Sequence, residues 1–188
     1  VSCEWMLPKI LETLRKAPAV FKATHRFTEA ADWLSLLLTG EETHAASFAG
    51  YKALWHDGQY PTDEYLAALD PSLQGLVGGK FSSAVHPVGQ IAGRLTDRGA
   101  DLTGLPAGIS VTLPMIDAHA ALPATGMTRS GDLTLILGTS TGHVLNSDRL
   151  RKIQGVCGYV ENGVIPHLYT YEAGQAAVGD CFDWFVKN

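Results

Sequence analysis

A strand that runs straight into a hydroxyl-rich turn constrains the fold of the second half of this chain. Residues 132–137 are largely apolar, residues 138–142 read Gly-Thr-Ser-Thr-Gly, and residues 143–145 suit a partner strand. Glycines let a backbone approach a ligand closely, and exposed N–H groups beside hydroxyls form an anion cradle. The pattern predicts a hairpin that either binds an anion or is an ordinary turn, where Gly and Ser are common.

Two acidic residues lie on either side of this hairpin in the sequence. Asp117 follows the strand-like residues 109–113 and a proline, and a carboxylate at a strand end can take a proton from an attacking hydroxyl. A helix N-cap is the alternative for Asp117, and the two roles can coexist. Glu172 stands before small residues that predict a helix from residue 173, so it either binds a polyol or caps that helix. Gln175 both donates and accepts hydrogen bonds, which suits sugar hydroxyls.

Lys52 and His119 carry two further hypotheses. Lys52 lies between Tyr51 and Trp55, so it is either a cleft donor to a sugar oxygen or a surface lysine whose stem covers an aromatic ring. His119 forms a DxH pair with Asp117, and a strand would place both side chains on one face as metal ligands. The remaining histidines show no HExxH-type spacing, so a metal-dependent hydrolase rests on this pair alone.

The first half of the chain reads as mainly helical. Apolar spacing, prolines at helix starts and glycine stops predict helices from Pro8 for about three turns, over 28–39, from Pro61 to 69, and over 88–102. Thr28 is the expected N-cap of the second helix and Gly40 its stop. The apolar stripe expected on that helix comprises Trp33, Leu34, Leu37 and Leu38.

After residue 108 the apolar period changes to alternation, which predicts strands. The expected strands cover 109–113, 132–137, 143–145, 155–159 and 164–169, with a turn at Asn162-Gly163. The small residues from 173 onward, followed by aromatic ones, predict a helix packed against the sheet. Residues 121–131 are interpreted as a linker between two lobes.

The composition excludes several functional classes. The 188 residues carry 14 Lys or Arg against 19 Asp or Glu, a net charge of −5, so no basic surface is available for nucleic acid. The cysteines at positions 3, 157 and 181 lack CxxC spacing, which argues against a disulfide framework and indicates a reducing compartment. No apolar run is long enough for a bilayer and no secretory leader is evident, so we expect a cytoplasmic protein without a membrane partner.

Seven short motifs span nearly the whole chain in a characteristic order. They are EWMLPKIL at 4–11, LTG at 38–40, YKALW at 51–55, TGLPAG at 103–108, IDAHA at 116–120, LGTST at 137–141 and YEAGQAAVGD at 171–180. Through these motifs the sequence resembles the FGGY family of carbohydrate kinases. The forms of the last two motifs favour the ribulokinase branch over xylulokinases and glycerol kinases.

The resemblance implies an α/β, actin/hexokinase-like (ribonuclease H-like) fold whose two lobes close over a sugar and magnesium-ATP. Residues 1–120 would be the C-terminal part of the sugar-binding lobe, 121–131 the interlobe linker, and 132–188 the beginning of the nucleotide-binding lobe. The expected reaction is ATP-dependent phosphorylation of a ketopentose, L-ribulose to L-ribulose 5-phosphate. ATP and Mg²⁺ are the implied cofactors, and the sugar and ATP are the implied small-molecule partners. A homo-oligomer is left open.

The same resemblance assigns roles to individual residues. Asp117 would be the catalytic base on the terminal hydroxyl of the sugar. Lys52 and Glu172 would bind the sugar, and Gln175 would lie near it. The ATP phosphates would be contacted by Gly138, Thr139 and Ser140.

Both ends of the chain lead us to expect a fragment of a longer polypeptide. The sequence begins with Val1 and stops within the apolar residues 181–186. The family's N-terminal phosphate loop would precede residue 1 and its adenosine-binding segment would follow residue 188, so we expect no turnover from these 188 residues alone. A non-catalytic sugar-binding or assembly module of the same fold, or a kinase for another ketopentose or polyol, is the alternative.

Overall fold

The computed structural model describes residues 2–188 of the chain. Its helices are α1 (Met6–Lys16), α2 (Pro18–Ala23), α3 (Ala30–Thr39), α4 (Ala46–Ala53), α5 (Asp63–Leu69), α6 (Leu76–Gly79), α7 (Asp97–Thr103), α8 (Asp117–Ala124) and α9 (Val178–Lys187). Its strands are β1 (His44–Ala45), β2 (Val85–His86), β3 (Ile91–Arg94), β4 (Ser110–Thr112), β5 (Leu133–Leu137), β6 (Thr141–Ser147), β7 (Gly158–Glu161) and β8 (Tyr169–Gln175). The mainly helical first half and the α/β second half agree with the sequence analysis. None of the helices described between residues 2 and 188 has both the length and the apolar character needed to cross a membrane.

Local sequence signals set the ends of several helices. α3 ends where Gly40 adopts a left-handed backbone with φ of 76°, so the predicted glycine stop is confirmed. α5 begins after Thr62, whose hydroxyl accepts a hydrogen bond from an amide of the first turn. The prediction of Thr28 as the N-cap of α3 is wrong, because Glu29 occupies that position and the helix begins at Ala30.

The apolar stripe predicted for α3 does not face the core of the described chain. Trp33 and Leu34 are 52% and 48% exposed, whereas Asp32 on the opposite face is buried. The Asp32 carboxylate explains this orientation, because it accepts a hydrogen bond from the amide of Ala45 and lies 3.2 Å from Nδ1 of His44. A buried carboxylate needs such partners, and β1 supplies both of them.

The helix predicted over residues 88–102 is confirmed only from Asp97 onward, and its first part is wrong. Ile91–Arg94 form a strand that pairs antiparallel with β4, and the helix begins only at Asp97. Gly89 has φ of 83° and the Thr96 side chain caps α7, so the local chain favours a turn, a strand and then a new helix. Ile91 and Leu95 are four residues apart, which is a helical spacing. The strand ends at Arg94 and is too short to show the alternation typical of strands.

The second half is built on a four-stranded antiparallel sheet with the order β5-β6-β8-β7. The predicted hairpin is confirmed: Leu137 pairs with Thr141, and residues 138–140 connect the two strands. The strand predicted over 164–169 is wrong, because β8 covers Tyr169–Gln175. The helix predicted from residue 173 begins at Val178 instead, since residues 173–175 continue the pairing of β8 with β6.

Helix α4, from the first half of the chain, packs directly against the sheet of the second half. A Cβ atom placed on Gly50 would lie 2.4 Å from Cγ2 of Val160 on β7, so this approach requires glycine. The next residue, Tyr51, donates a hydrogen bond of 2.7 Å to the carbonyl oxygen of Thr170 on β8. Tyr51, Val160 and neighbouring apolar residues form one buried cluster.

Residues 121–131, interpreted above as a linker, pack as part of this cluster. α8 continues to Ala124, and Leu122 and Met127 are 1% and 2% exposed. The division of the chain into residues 1–120 and 132–188 on either side of this segment stays a prediction.

Candidate functional site

Two adjoining cavities lie between α4, α8 and the four-stranded sheet. The first, here the lysine cavity, has a volume of about 270 Å³ and is lined by residues that include Lys52, Tyr51 and Tyr159. The second, here the hairpin cavity, has a volume of about 310 Å³ and includes residues 138–140 of the β5–β6 turn. Ala118, His119 and Glu172 line both cavities, so the two are neighbouring parts of one cleft.

Lys52 stands in the last turn of α4 and lines the lysine cavity. The close contact of Gly50 with Val160 and the hydrogen bond of the Tyr51 hydroxyl fix this turn against the sheet. Burial, reinforced by the charge of Glu172, raises the pKa of Tyr51, so its hydroxyl keeps the proton that it donates. Within residues 2–188, Lys52 forms no salt bridge, which leaves its ammonium group available to a bound molecule.

Glu172 lies in the middle of β8, paired with Val144 on β6 and Gly158 on β7. The prediction that it stands at the mouth of a helix is therefore wrong, and its helix-capping role is excluded. A hydrogen bond from His119 holds the pKa of Glu172 below its usual range; burial acts in the opposite direction, and the charge of Lys52 adds to the lowering. Glu172 is thus ionised at neutral pH and presents an acceptor to the cleft.

Asp117 is the first residue of α8, between two residues that line the cleft. Its side chain is exposed, and Oδ1 accepts a hydrogen bond of 2.8 Å from the amide of Ala118. Its two neighbours, Ile116 and Ala118, line the lysine cavity, whereas Asp117 itself lines neither cavity. Ile116 occupies the N-cap position, so Asp117 serves the helix as a first-turn acid rather than as its cap.

The metal site considered for Asp117 and His119 has no support in the described residues. The two residues belong to a helix and not to a strand, so the shared face expected for them is absent. Across residues 2–188, no three His, Cys, Asp or Glu side chains cluster as a metal site. His119 contacts Glu172 instead, with 3.5 Å between Nε2 and Oε2.

The turn residues Gly138, Thr139 and Ser140 line the hairpin cavity. Gly138 donates to the carbonyl oxygen of Ser140 at 2.8 Å, which tightens the turn. The amide of Gly179 on α9 donates to the carbonyl oxygens of Gly138 and Thr139, both at 3.0 Å. In the part of the chain that the structure describes, the amides of Thr139 and Ser140 have no protein acceptor. Such free amides suit an anion.

Gln175 is separate from the other predicted site residues. It is the last residue of β8, pairs with Thr141, is exposed and lines neither cavity. The structure therefore brings Lys52, Glu172 and the turn at 138–140 into one cleft, and it leaves Asp117 and Gln175 outside both cavities.

His119 is a cleft residue that sequence reasoning considered only as a metal ligand. Its ring is 3% exposed and lies 4.6 Å from the ring centre of Tyr51. No sequence signal pointed to this contact, because Tyr51 and Glu172 are far from His119 along the chain. The one available clue was its position in the small-residue segment after Asp117.

Comparison of the sequence with known proteins identifies ribulokinases as relatives. The chain is 43% identical over 189 residues to the ribulokinase of Halalkalibacterium halodurans and 43% identical over 188 residues to that of Mycolicibacterium smegmatis. In both cases the whole chain is covered, together with 34% and 33% of the relative. The chain thus spans about a third of the length of these ribulokinases. No family model matches the chain.

Solved structures of sugar kinases share the fold. The xylulose kinase of Rhodospirillum rubrum superposes with a TM-score of 0.80 and 29% identity, over 99% of this chain and 37% of that one. The glycerol kinase of Plasmodium falciparum superposes with a TM-score of 0.69 at 16% identity, over 96% of this chain and 36% of the other. The predicted α/β, actin/hexokinase-like fold class is confirmed by these likenesses.

Proposed function

We infer that the protein carrying this sequence phosphorylates a ketopentose with ATP. The inference starts from the resemblance of the chain to the FGGY carbohydrate kinases, which is confirmed along its whole length. L-ribulose, converted to L-ribulose 5-phosphate, is the proposed sugar, because the ribulokinases are the relatives found at 43% identity. One observation carries the proposal: Lys52, Glu172 and the turn at 138–140 line adjoining cavities that share Glu172.

The lysine cavity is proposed as the sugar site. The ammonium group of Lys52 donates to sugar oxygens and the ionised Glu172 accepts from sugar hydroxyls, so a polyol finds both kinds of partner. Gln175 lies outside both cavities, so its proposed contact with the sugar depends on a rearrangement of the end of β8.

The hairpin cavity is proposed as part of the phosphate site. The free amides of Thr139 and Ser140 belong, with the turn glycine Gly138, to the residues that line this cavity, and they would donate to the ATP phosphates. Mg²⁺ would be carried by those phosphates and keep several of its waters. The bound ion would neutralise charge on the phosphates.

Asp117 is proposed as the general base. It would take the proton of the terminal sugar hydroxyl while that oxygen bonds to the γ-phosphorus of ATP and the bond to the β,γ-bridging oxygen breaks, releasing ADP. Its place at the start of α8, one residue before the cleft residue Ala118, supports this role. Because Asp117 lines neither cavity, this role requires its side chain to approach the bound sugar.

We also propose the division into a sugar-binding part at 1–120, a linking segment at 121–131 and the start of a nucleotide-binding lobe at 132–188. The order of the site residues along the chain supports it, since Lys52 precedes the segment and residues 138–140 follow it. A cytoplasmic place in arabinose metabolism, with the sugar and ATP as partners and neither nucleic acid nor membrane, completes the proposal; the net charge of −5 supports the exclusion of nucleic acid.

Steady-state assays of the full-length protein test this function. ADP release should require both ATP and L-ribulose, and D-xylulose and glycerol serve as comparison substrates. Calorimetric titration of L-ribulose, with and without ATP, separates the kinase from a sugar-binding module of the same fold. Sugar binding without ADP release would replace the kinase with that module, and preferential turnover of D-xylulose or glycerol would replace the substrate.

A further inference from the structure

His119 stands at the boundary between the two cavities, and its surroundings fix its orientation. The ring is 3% exposed and packs against the ring of Tyr51 at 4.6 Å. Tyr51 is itself held by its hydrogen bond to Thr170. The Nε2 atom faces Oε2 of Glu172 at 3.5 Å. One ring thus touches the aromatic wall of the lysine cavity and the carboxylate that both cavities share.

The two ring nitrogens of His119 have different surroundings. Nε2 faces a carboxylate, which when ionised can only accept, so Nε2 carries a proton. Nδ1 is buried, and no residue among 2–188 gives it a hydrogen-bond partner. The tautomer protonated at Nε2 matches this arrangement, because it leaves no N–H group buried without an acceptor.

Apart from His119, few groups restrict the orientation of the Glu172 carboxylate. Its side chain is 37% exposed, and it makes no other salt bridge within the described residues. A carboxylate that is held by a single hydrogen-bond donor samples several rotamers, and restricting it to the one rotamer that a ligand needs costs binding free energy.

We propose that His119 is a positioning residue: its Nε2–H group holds the Glu172 carboxylate in the orientation that accepts hydrogen bonds from the sugar. The proposal rests on the sugar-binding role proposed for Glu172 and extends it to a residue that does not itself need to touch the sugar. Tyr51 completes the arrangement by fixing the plane of the His119 ring.

Two substitutions separate the hydrogen bond from the packing. In His119→Gln the side-chain amide nitrogen reaches the position of Nε2, whereas in His119→Asn it stops near the position of Nδ1. In the full-length enzyme, His119→Asn should raise the KM for the sugar about 10-fold to 100-fold, the effect expected for one hydrogen bond to a charged group, with little change in kcat or in the KM for ATP. His119→Gln should restore most of the sugar affinity.

A double-mutant cycle with Glu172→Gln supplies the control for general damage to the site. If His119 acts through the carboxylate, His119→Asn should add little to the loss already caused by Glu172→Gln. Equal losses in the Asn and Gln variants, an undiminished effect in the Glu172→Gln background, or a fall confined to kcat would overturn the proposal. Thermal unfolding and circular dichroism of each variant check that the fold is kept.

The positioning role of His119 can be tested whether or not the protein transfers a phosphoryl group. If the unsubstituted protein releases no ADP with any sugar, the proposed function fails, and calorimetric Kd values for L-ribulose then replace KM. The same order, with His119→Gln close to the unsubstituted protein and His119→Asn weaker, supports the positioning role. Unchanged Kd values in both variants contradict it.

Discussion

The amide of Gly179, in the first turn of α9, donates to the carbonyl oxygen of Gly138 at 3.0 Å. A Cβ atom on Gly179 would lie 2.4 Å from that oxygen and 3.0 Å from the Gly138 carbonyl carbon. Helix α9 therefore supports the turn that is proposed to hold phosphate, and only glycine permits this contact. The hairpin and the helix that follows β8 form one unit.

Gly179→Ala should displace the turn at 138–140 and raise the KM for ATP, while the affinity for the sugar changes little. Alanine is otherwise about 1 kcal/mol better than glycine in a helix, so a loss would come from the contact and not from helix propensity. Gly79→Ala is the matched control, because a Cβ atom at Gly79 meets nothing within 4 Å. Unchanged nucleotide affinity in Gly179→Ala would contradict this role of α9.

The contact of Gly50 with Val160 gives a prediction for stability. A Cβ atom on Gly50 would lie 2.4 Å and 2.5 Å from the two methyl carbons of Val160, which is 3% exposed. Gly50→Ala should lower the free energy of unfolding by about 1–3 kcal/mol through overpacking. Chemical denaturation of the full-length protein measures it.

The double variant Gly50→Ala, Val160→Ala is the control for this prediction. Because the shorter side chain at 160 makes room for the new methyl group, the double variant should be less destabilised than the sum of the two single variants. Additive losses would show that Gly50 is needed for another reason, such as helix geometry in α4.

The buried pair of His44 and Asp32 makes stability depend on pH. Burial disfavours charged His44, but the hydrogen bond and charge of Asp32, with Glu42 adding to them, outweigh it and raise the pKa of His44. Since the folded pKa exceeds the unfolded one, the stabilisation is fully present below the unfolded pKa near 6.5 and is lost as the pH rises through the folded pKa.

Urea unfolding at a series of pH values checks this dependence. The free energy of unfolding should decline as the pH rises from about 6.5, the ordinary histidine pKa, through the raised pKa of His44, and His44→Gln should flatten the decline. His25→Gln, which changes an exposed histidine, should keep it. A slope unaffected by His44→Gln would contradict the assignment to this pair.

The features predicted correctly from the sequence are those that short segments determine. The end of α3 at Gly40 and the turn at 138–140 depend on residues close to them in the sequence, whereas α5 begins at Asp63, two residues after its predicted start at Pro61. The strand at 91–94 was missed because its pairing partner, β4, lies beyond the intervening helix α7.

The site residues that were predicted incorrectly also depend on contacts between distant parts of the sequence. Glu172 was expected beside a helix because small residues follow it, whereas the pairing of β8 with β6 and β7 extends the strand through those residues. His119 was missed as a cleft residue because its two contacts, Tyr51 and Glu172, are 68 and 53 positions away in the numbering of the chain. Long-range contacts of this kind decide which polar side chains meet.

The kinetics of Asp117→Asn in the full-length protein test the central claim most directly. Asparagine keeps an oxygen that can accept the hydrogen bond from the Ala118 amide, so the start of α8 is preserved while the base is lost. Asp97→Asn, which changes the exposed acid at the start of α7, is the matched control. With ATP and L-ribulose, Asp117→Asn should lower kcat by roughly 10²–10⁴-fold with little change in the KM for the sugar, and Asp97→Asn should behave as the unsubstituted protein. Turnover by Asp117→Asn at the unsubstituted rate would contradict the account.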